Sequence, residues 1–318
     1  MNRHAKTSLV LVFFYCTLLA GCASLRLPAV DTSAIGSVPE LADTPFHPQA
    51  LYQCGPAALL TVLDYSGVAT DMETLVRQVY LPGKEGSLQP ELLAATRAAG
   101  RVPYRIDGTV EALAAEVRAG RPVLVLQNLG ISWLPRWHYA VVIGVDAVNG
   151  QVVLRSGVDE RRVSRLQTFL RTWRRSAYWG LVVLRADELP VNVDRNRWFS
   201  ALSALEQTEQ RATALRAWQS AVEHWPDSLI ANFGLGNSHY ALQDWPSAEQ
   251  SFRRLLHMQP TLAVARNNLA LALLQQRRFP EAEQEAALAL RDSGNDLELI
   301  AEIERTLAEI RLAKSGSE

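Results

Sequence analysis

A thiol and a histidine stand in surroundings that favour nucleophilic chemistry. Cys54 begins the segment CGPAALL, and Pro56 suits the first turn of a helix. Unpaired backbone N–H groups at a helix N-terminus lower the pKa of a thiol and favour the thiolate. His138 opens the apolar, β-branched segment HYAVVIGV, 84 residues downstream. The two residues predict a Cys-His pair in which the imidazole takes the thiol proton, and Gln49 can donate its side-chain amide to an oxyanion.

The residues around both positions resemble the C39 and C39-like cysteine peptidases. Residues 44–59, TPFHPQALYQCGPAAL, resemble the start of that family, and residues 137–142, WHYAVV, resemble its histidine strand. The resemblance covers about 43–185. It implies a papain-like fold and hydrolysis of a peptide bond, with Cys54 as the nucleophile, His138 as general base and then acid, and Gln49 as the oxyanion donor.

The sequence departs from the family pattern at the residue that orients the imidazole. The family usually has Asp-Pro after the histidine hairpin, whereas this chain has Ser156-Gly157. A serine hydroxyl can fix the imidazole tautomer, but it lacks the negative charge that stabilises imidazolium. Asp159 lies three residues further on, and Asp146 lies at the far end of the histidine strand. We rank Ser156 and Asp159 above Asp146 as the third residue.

Two functions of different classes follow from these residues. The first is a cysteine peptidase that forms an acyl-enzyme with a peptide or protein substrate. The alternative is a catalytically degenerate papain-like scaffold that binds a peptide and acts through its C-terminal repeats. The loss of the Asp favours the alternative, whereas retention of Gln49, Cys54 and His138 favours the peptidase. Acyl transfer to an amine would use the same residues as hydrolysis.

The elements that must position these residues form a predicted α+β domain over 43–189. Apolar residues at helical spacing after Cys54 predict a first helix that Gly67 closes. Three further helices are predicted over 71–80, 87–99 and 109–119. Strands are predicted over 122–127, 139–145, 151–154 and 178–184, with Asn149-Gly150 as a hairpin turn. Helices that precede an antiparallel sheet indicate an α+β, papain-like domain.

The C-terminal third has an internal repeat. Residues 231–240 align with 265–274 at an offset of 34 residues, which is typical of helical hairpins. Three columns are in register: Ala214, Ala248 and Ala282; Trp218, Phe252 and Ala286; and Leu202, Gly236 and Ala270. The pattern resembles tetratricopeptide repeats. It predicts an all-α domain over 195–313, with three repeats to about 294 and a capping helix over 295–313, and a possible protein partner on the repeat surface.

The N-terminus has the layout of a lipoprotein signal peptide. Arg3 and Lys6 precede an uncharged stretch over 7–25, and the apolar core ends at Leu19-Ala20-Gly21-Cys22. This motif resembles the lipobox, so the sequence predicts a signal peptide over 1–21, lipidation of Cys22 and a tether over 22–42. An uncleaved membrane anchor is the alternative, since 19 uncharged residues could nearly span a bilayer.

Ala23, and not Asp, follows the cysteine, which by resemblance to enterobacterial lipoprotein sorting implies an outer-membrane lipoprotein that faces the periplasm. The order of lipobox, C39-like domain and repeats also resembles a group of proteobacterial lipoproteins.

Composition excludes several classes of function. The chain has 32 basic and 33 acidic residues and a net charge of -1, which does not favour a nucleic-acid partner. Its three cysteines, with no CxxC spacing, argue against a disulfide framework and a structural zinc site. We therefore expect no cofactor and no metal. The predicted mature protein keeps Cys54 as its free thiol, and its membrane contact is the lipid anchor.

Overall fold

The computed structural model describes residues 35–49 and 53–316. The predicted signal peptide, Cys22 and residues 22–34 of the predicted tether lie outside the described residues. The predicted fold class is confirmed, because an α+β domain with an antiparallel sheet precedes a helical repeat region. No helix within the described ranges is long and apolar enough to cross a bilayer.

The sheet of the first domain has seven described strands, and their pairings are all antiparallel. Their order is β2-β7-β3-β4-β5-β6, and β1 pairs with the far end of β4. Their bounds are β1 Ser37–Val38, β2 Val102–Arg105, β3 Val123–Asn128, β4 Trp137–Asp146, β5 Gln151–Ser156, β6 Asp159–Arg165 and β7 Gly180–Leu184. The four predicted strands are therefore β3, β4, β5 and β7.

Five helices accompany this sheet. They are α1 Cys54–Tyr65, α2 Met72–Val79, α3 Gln89–Ala98, α4 Val110–Arg118 and α5 Leu166–Arg174. The side chains of Asp71 and Thr109 accept hydrogen bonds from backbone N–H groups in the first turns of α2 and α4, which fixes where those helices begin. The predicted helices therefore form within one or two residues of their expected ends.

Alternate side chains of each strand point to opposite sides of the sheet. Helices cover both sides, so the central strands are buried on both faces. One face, here called the α1 face, packs against α1, α2 and α3 through residues such as Leu124, Val141 and Val183. The other, here called the repeat face, packs against α4, α5 and the first repeat helices through residues such as Val125 and Val142. The chain therefore builds two separate apolar clusters on one sheet.

The described end of the predicted tether, residues 35–42, is part of the packed domain. Ile35 and Val38 are buried in the repeat-face cluster, and Ser37 pairs with Asp146. The buried guanidinium of Arg155 donates to the carbonyls of Ala42, Thr44 and Glu160. These bonds satisfy the buried charge with backbone oxygens and fix the N-terminal segment to the end of β5.

Seven helices form the repeat region. Their bounds are α6 Arg195–Glu206, α7 Arg211–His224, α8 Leu229–Ala241, α9 Trp245–Met258, α10 Ala263–Gln275, α11 Phe279–Asp292 and α12 Leu297–Ser315. Small residues let α8 and α9 approach closely, because a Cβ added at Gly236 would lie 2.6 Å from the ring of Phe252. The predicted columns of small and aromatic residues are thus the contacts between neighbouring helices.

The repeats join the first domain through a shared core. Trp198 and Phe199 of α6 are buried in the repeat-face cluster together with Tyr104 of β2. The hydroxyl of Tyr104 also accepts from the backbone N–H of Asp194, over 2.8 Å. Since β2 is an edge strand, α6 covers an edge that would otherwise expose apolar surface.

Candidate active site

A cleft of about 1030 Å³ opens where β3 ends and β4 begins. Gln49, Cys54 and His138, which the sequence predicts as site residues, all line it. The 84–89 segment between α2 and α3 forms one wall, and residues 135–137 and 175–177 form another. The volume is at the upper end of the range for ligand pockets, which suits a segment of peptide chain. The structure therefore brings three of the predicted residues to one cavity.

Cys54 is the first residue of α1 and lies against β4. The pairing of β4 with β5 ends at Val141 and Arg155. Beyond that point the backbone N–H of Tyr139 is directed at the Cys54 sulfur, and the carbonyl of Tyr139 accepts from Gln49 Nε2 over 3.4 Å. Because β5 does not pair with β4 at Tyr139, the backbone N–H and carbonyl of Tyr139 are left to bond the Cys54 thiol and the Gln49 amide.

The predicted net lowering of the pKa of Cys54 is wrong, although the N–H groups at the helix N-terminus act in the expected direction. Burial raises the pKa of the Cys54 thiol, and the N–H groups of Tyr139, Gly55 and Cys54 itself offset this only in part. The sequence reveals the helix start but not the depth at which the sulfur lies. A raised pKa favours the neutral thiol of Cys54 at pH 7.

His138 is held by the hydroxyl of Ser156. His138 Nε2 lies 2.8 Å from Ser156 Oγ, and the side chain of Ser156 is buried. Burial, and to a smaller extent the charges of Arg162 and Arg136, lower the pKa of His138 to about 4. The imidazole is therefore neutral at pH 7. With Nε2 bonded to Ser156, Nδ1 is the nitrogen left to take a proton within the cleft.

The two aspartates considered as alternatives to Ser156 lie elsewhere. Asp159 is the partner of Ser156 across the β5–β6 turn, but its half-exposed carboxylate lies 3.7 Å from Arg162. Asp146 accepts from the backbone and side chain of Asn149 in the hairpin at the other end of β4. Ser156 is therefore the predicted third residue that contacts the imidazole.

Gln49 is fixed by its backbone as well as by its side chain. Its N–H donates to the carbonyl of Gly157 over 3.1 Å, next to Ser156. This bond places the Gln49 amide beside Cys54 at the rim of the cleft. The role of Gln49 as an oxyanion donor stays a prediction.

Sequence reasoning did not identify Tyr139 and Ser87 as site residues. The hydroxyl of Tyr139 donates to the carbonyl of Ser87 over 3.3 Å, and the Tyr139 ring packs edge-on against Trp179. Ser87 lies against Gly55, where an added Cβ would be 2.4 Å from Ser87 Oγ. The sequence signals were that Tyr139 follows His138 and that Gly55 follows Cys54. Ser87 gave no signal, because it belongs to a loop that is distant in sequence from both motifs.

Two family models match the chain. Residues 41–180 match the model described as "Peptidase_C39 like family", and residues 200–263 match a tetratricopeptide-repeat model. No curated protein matches the chain. Repeats of this kind stack into extended concave surfaces, which indicates binding of a peptide or protein.

Several solved structures are similar to one part of the chain each. A C39-like peptidase from Bacillus anthracis has 17% identity and a TM-score of 0.40, and the match covers 47% of this chain and 98% of that one. A double-glycine-motif protease from an AMS/PCAT transporter, in complex with a leader peptide, has 18% identity and a TM-score of 0.35, covering 46% and 96%.

The type III secretion chaperone SycD of Yersinia enterocolitica, in complex with a peptide of the translocator YopD, has 20% identity and a TM-score of 0.36, covering 39% and 94%. On the two family matches, the chain carries a C39-like peptidase domain followed by tetratricopeptide repeats.

Proposed function

We propose that this chain is a cysteine peptidase that hydrolyses a peptide bond through an acyl-enzyme on Cys54. The observation that carries the proposal is the shared cleft, in which the thiol of Cys54, the Ser156-bound imidazole of His138 and the amide of Gln49 meet. A nucleophile, a base and an oriented partner for that base are the parts that acyl transfer needs.

The first step is attack by a neutral pair. Because the pKa of Cys54 is raised and that of His138 is lowered, a resting thiolate–imidazolium pair is disfavoured. The thiol proton therefore passes to His138 Nδ1 as the sulfur bonds to the scissile carbonyl carbon. Ser156 keeps the ring orientation during this transfer by accepting from Nε2–H.

The remaining steps use the same groups. The carbonyl oxygen becomes an oxyanion, which the Gln49 amide and the Cys54 backbone N–H stabilise. The tetrahedral intermediate collapses as the C–N bond breaks, and His138 gives its proton to the leaving amine. Water then attacks the thioester, His138 takes a proton from that water, and the carboxylic acid leaves as the thiol is restored.

The proposal extends to location and partners. The Leu19-Ala20-Gly21-Cys22 motif supports lipidation of Cys22 and an outer-membrane lipoprotein that faces the periplasm. More than one acyl chain would hold the protein stably at the bilayer. The cleft is lined by residues of the first domain, so the repeats are outside it. Their role in this proposal is to bind a substrate or a partner peptide on their own surface.

A peptide electrophile tests the chemistry. We expect a peptidyl fluoromethyl ketone to modify Cys54 in the full chain, as measured by mass spectrometry. We expect no adduct in Cys54→Ser and a greatly reduced rate of modification in His138→Ala. Comparison of periplasmic N-termini between wild-type cells and Cys54→Ala cells then identifies the cut sites. Equal modification of wild type and His138→Ala, with unchanged N-termini, would contradict hydrolysis and favour the scaffold alternative.

A further inference from the structure

The loop between β3 and β4 presents apolar side chains to solvent. Trp133 is 81% exposed, Leu134 60% and Ile131 44%. Backbone bonds between Ile131 and Leu134 close a tight turn. Residues 131–134 are here called the tip. Exposed aromatic and aliphatic side chains that are adjacent in space mark an interaction surface more often than scattered single residues do.

The base of this loop is firmly held. Asn128 Oδ1 accepts from the backbone N–H groups of Gly130 and Arg136, each over 2.9 Å. Arg175, just after α5, donates to the carbonyls of Asn128 and Gly130. The tip therefore projects from an ordered base.

The cleft does not account for the tip. Pro135, Arg136 and Trp137 line the cleft, whereas none of the four tip residues does. The lining of the cleft therefore does not explain why Trp133 is exposed.

The surface around the tip is basic. The last turn of α5 reaches the base of the loop, where Gln127 donates to Thr172 over 2.7 Å. Arg136, Arg171, Arg174 and Arg175 are exposed there, and none of them forms a salt bridge within the described residues. The segments 128–145 and 161–175 contain no Asp or Glu. The apolar tip thus has one arginine in its own loop and three at the adjoining end of α5, and neither segment contains an acidic residue.

We propose that the tip inserts into the headgroup region of a bilayer that contains anionic phospholipid. Tryptophan prefers the membrane–water interface, leucine and isoleucine gain from the acyl boundary, and arginines nearby are attracted to anionic headgroups. A projecting tip with a cationic surround fits a planar surface. The mouth of the cleft then lies at the bilayer. The inference depends neither on lipidation of Cys22 nor on hydrolysis at Cys54.

The tip contact differs from the predicted anchor. β1 pairs with the Asp146 end of β4, whereas the tip adjoins the Trp137 end. The ten residues of β4 span about 30 Å at the usual rise of a strand. A lipid on Cys22 would therefore leave the orientation of the domain open, and the tip would set it.

Quenching of tryptophan fluorescence by brominated lipids tests the contact in the full chain. Residues 1–34 contain no tryptophan, so the N-terminal segment contributes no signal. In phosphatidylcholine vesicles with brominated acyl chains and phosphatidylglycerol, we expect wild-type emission to be quenched and Trp133→Phe to lose a measurable part of the quenched component, while Trp137, which is 53% exposed beside the tip, supplies the rest. Trp245→Phe in α9 is the matched control, and we expect it to keep that component.

Charge supplies the second arm. We expect Arg136→Gln/Arg174→Gln to reduce quenching in vesicles with phosphatidylglycerol and to weaken its salt dependence, because Arg171 and Arg175 remain. Equal bromine quenching in wild type and Trp133→Phe would overturn the proposal. So would a Trp133→Phe protein that keeps its quenching but hydrolyses a soluble peptide more slowly in detergent, since the tip would then contact substrate.

Discussion

The two faces of the sheet are built from alternate residues of the same strands, yet they support different parts of the molecule. On the α1 face, Val141 and its neighbours pack against the helix that begins at Cys54. On the repeat face, Val142 and its neighbours join a cluster that continues into Trp198 of the first repeat helix. One register of β4 therefore places α1 on one side and the repeats on the other, whereas His138 and Ser156 have the alternation of the repeat face at the cleft end of the sheet.

This comparison shows how the chain separates chemistry from assembly. Within the described residues, the lining of the cleft comes entirely from the first domain, with no residue after 177. Substitutions at the cleft end of the sheet should change reaction rates, and substitutions in the repeat-face cluster, away from that end, should change stability. A strict separation of this kind can be tested.

The largest effect is expected from the histidine at the cleft. We expect His138→Ala to lower peptide hydrolysis by about 10²- to 10⁴-fold, because a positioned base is lost. Thermal unfolding should change little. His257→Ala, an exposed histidine of the repeats, is the control and should keep full activity. Unaltered hydrolysis in His138→Ala would remove the imidazole from the mechanism.

Truncation on the repeat face should act on stability. Trp198 is fully buried against Tyr104, with ring centroids 6.1 Å apart. We expect Trp198→Ala to lower the free energy of unfolding by about 3–5 kcal/mol, measured by denaturant titration. Trp198→Phe should cost less, because the indole N–H has no partner in the described structure. If the peptidase domain of Trp198→Ala unfolds at the wild-type denaturant concentration, the two domains are separate units.

Acid should weaken the fold from the cleft. The native pKa of His138 is about 4, below its ordinary value of 6.5, so the unfolded chain binds the proton first as pH falls. The contribution of the neutral imidazole to the free energy of unfolding is fully present above pH 6.5 and is lost between pH 6.5 and 4. About 2 kcal/mol of it is lost at pH 5. His138→Gln should flatten this part of the stability–pH curve. An identical curve in wild type and variant would mean that the imidazole is not buried neutral.

The smallest expected effect concerns the third residue. We expect Ser156→Asp to raise the pKa of His138 and, through the coupled pair, to increase the reactivity of Cys54 towards iodoacetamide at pH 7 by about tenfold. Ser156→Asn has similar size without charge and is the matched control. Equal alkylation rates in the two variants would show that charge at this position does not reach the thiol.

Local patterns were enough to predict most elements. The caps at Asp71 and Thr109 and the continuous apolar run of β4 are local signals, and the structure has them at the expected places. Three described strands were not predicted: β1, which lies within the expected tether, and the edge strands β2 and β6. β2 contains Pro103, and β6 reads DERRVSR, because an edge strand tolerates proline and charge that a central strand excludes.

The site was predictable only in part, for a related reason. The motif around Cys54 and His138 indicates which residues meet, and the structure places both in one cleft. The raised pKa of Cys54 and the contact of Tyr139 with the sulfur depend on burial and on where β5 stops pairing with β4. Residues distant in sequence from the motif determine both the raised pKa and the Tyr139 contact, so no local pattern predicts either.

The buried, protonated state of Cys54 has a consequence for chemical durability. Peroxide attacks a thiolate far faster than a thiol, so a sulfur that loses its proton only as substrate arrives resists oxidation to sulfenic acid. Within the described residues there is no second cysteine to resolve such damage as a disulfide. If Cys54 is the nucleophile that we propose, a neutral resting thiol would protect it from oxidation between reactions.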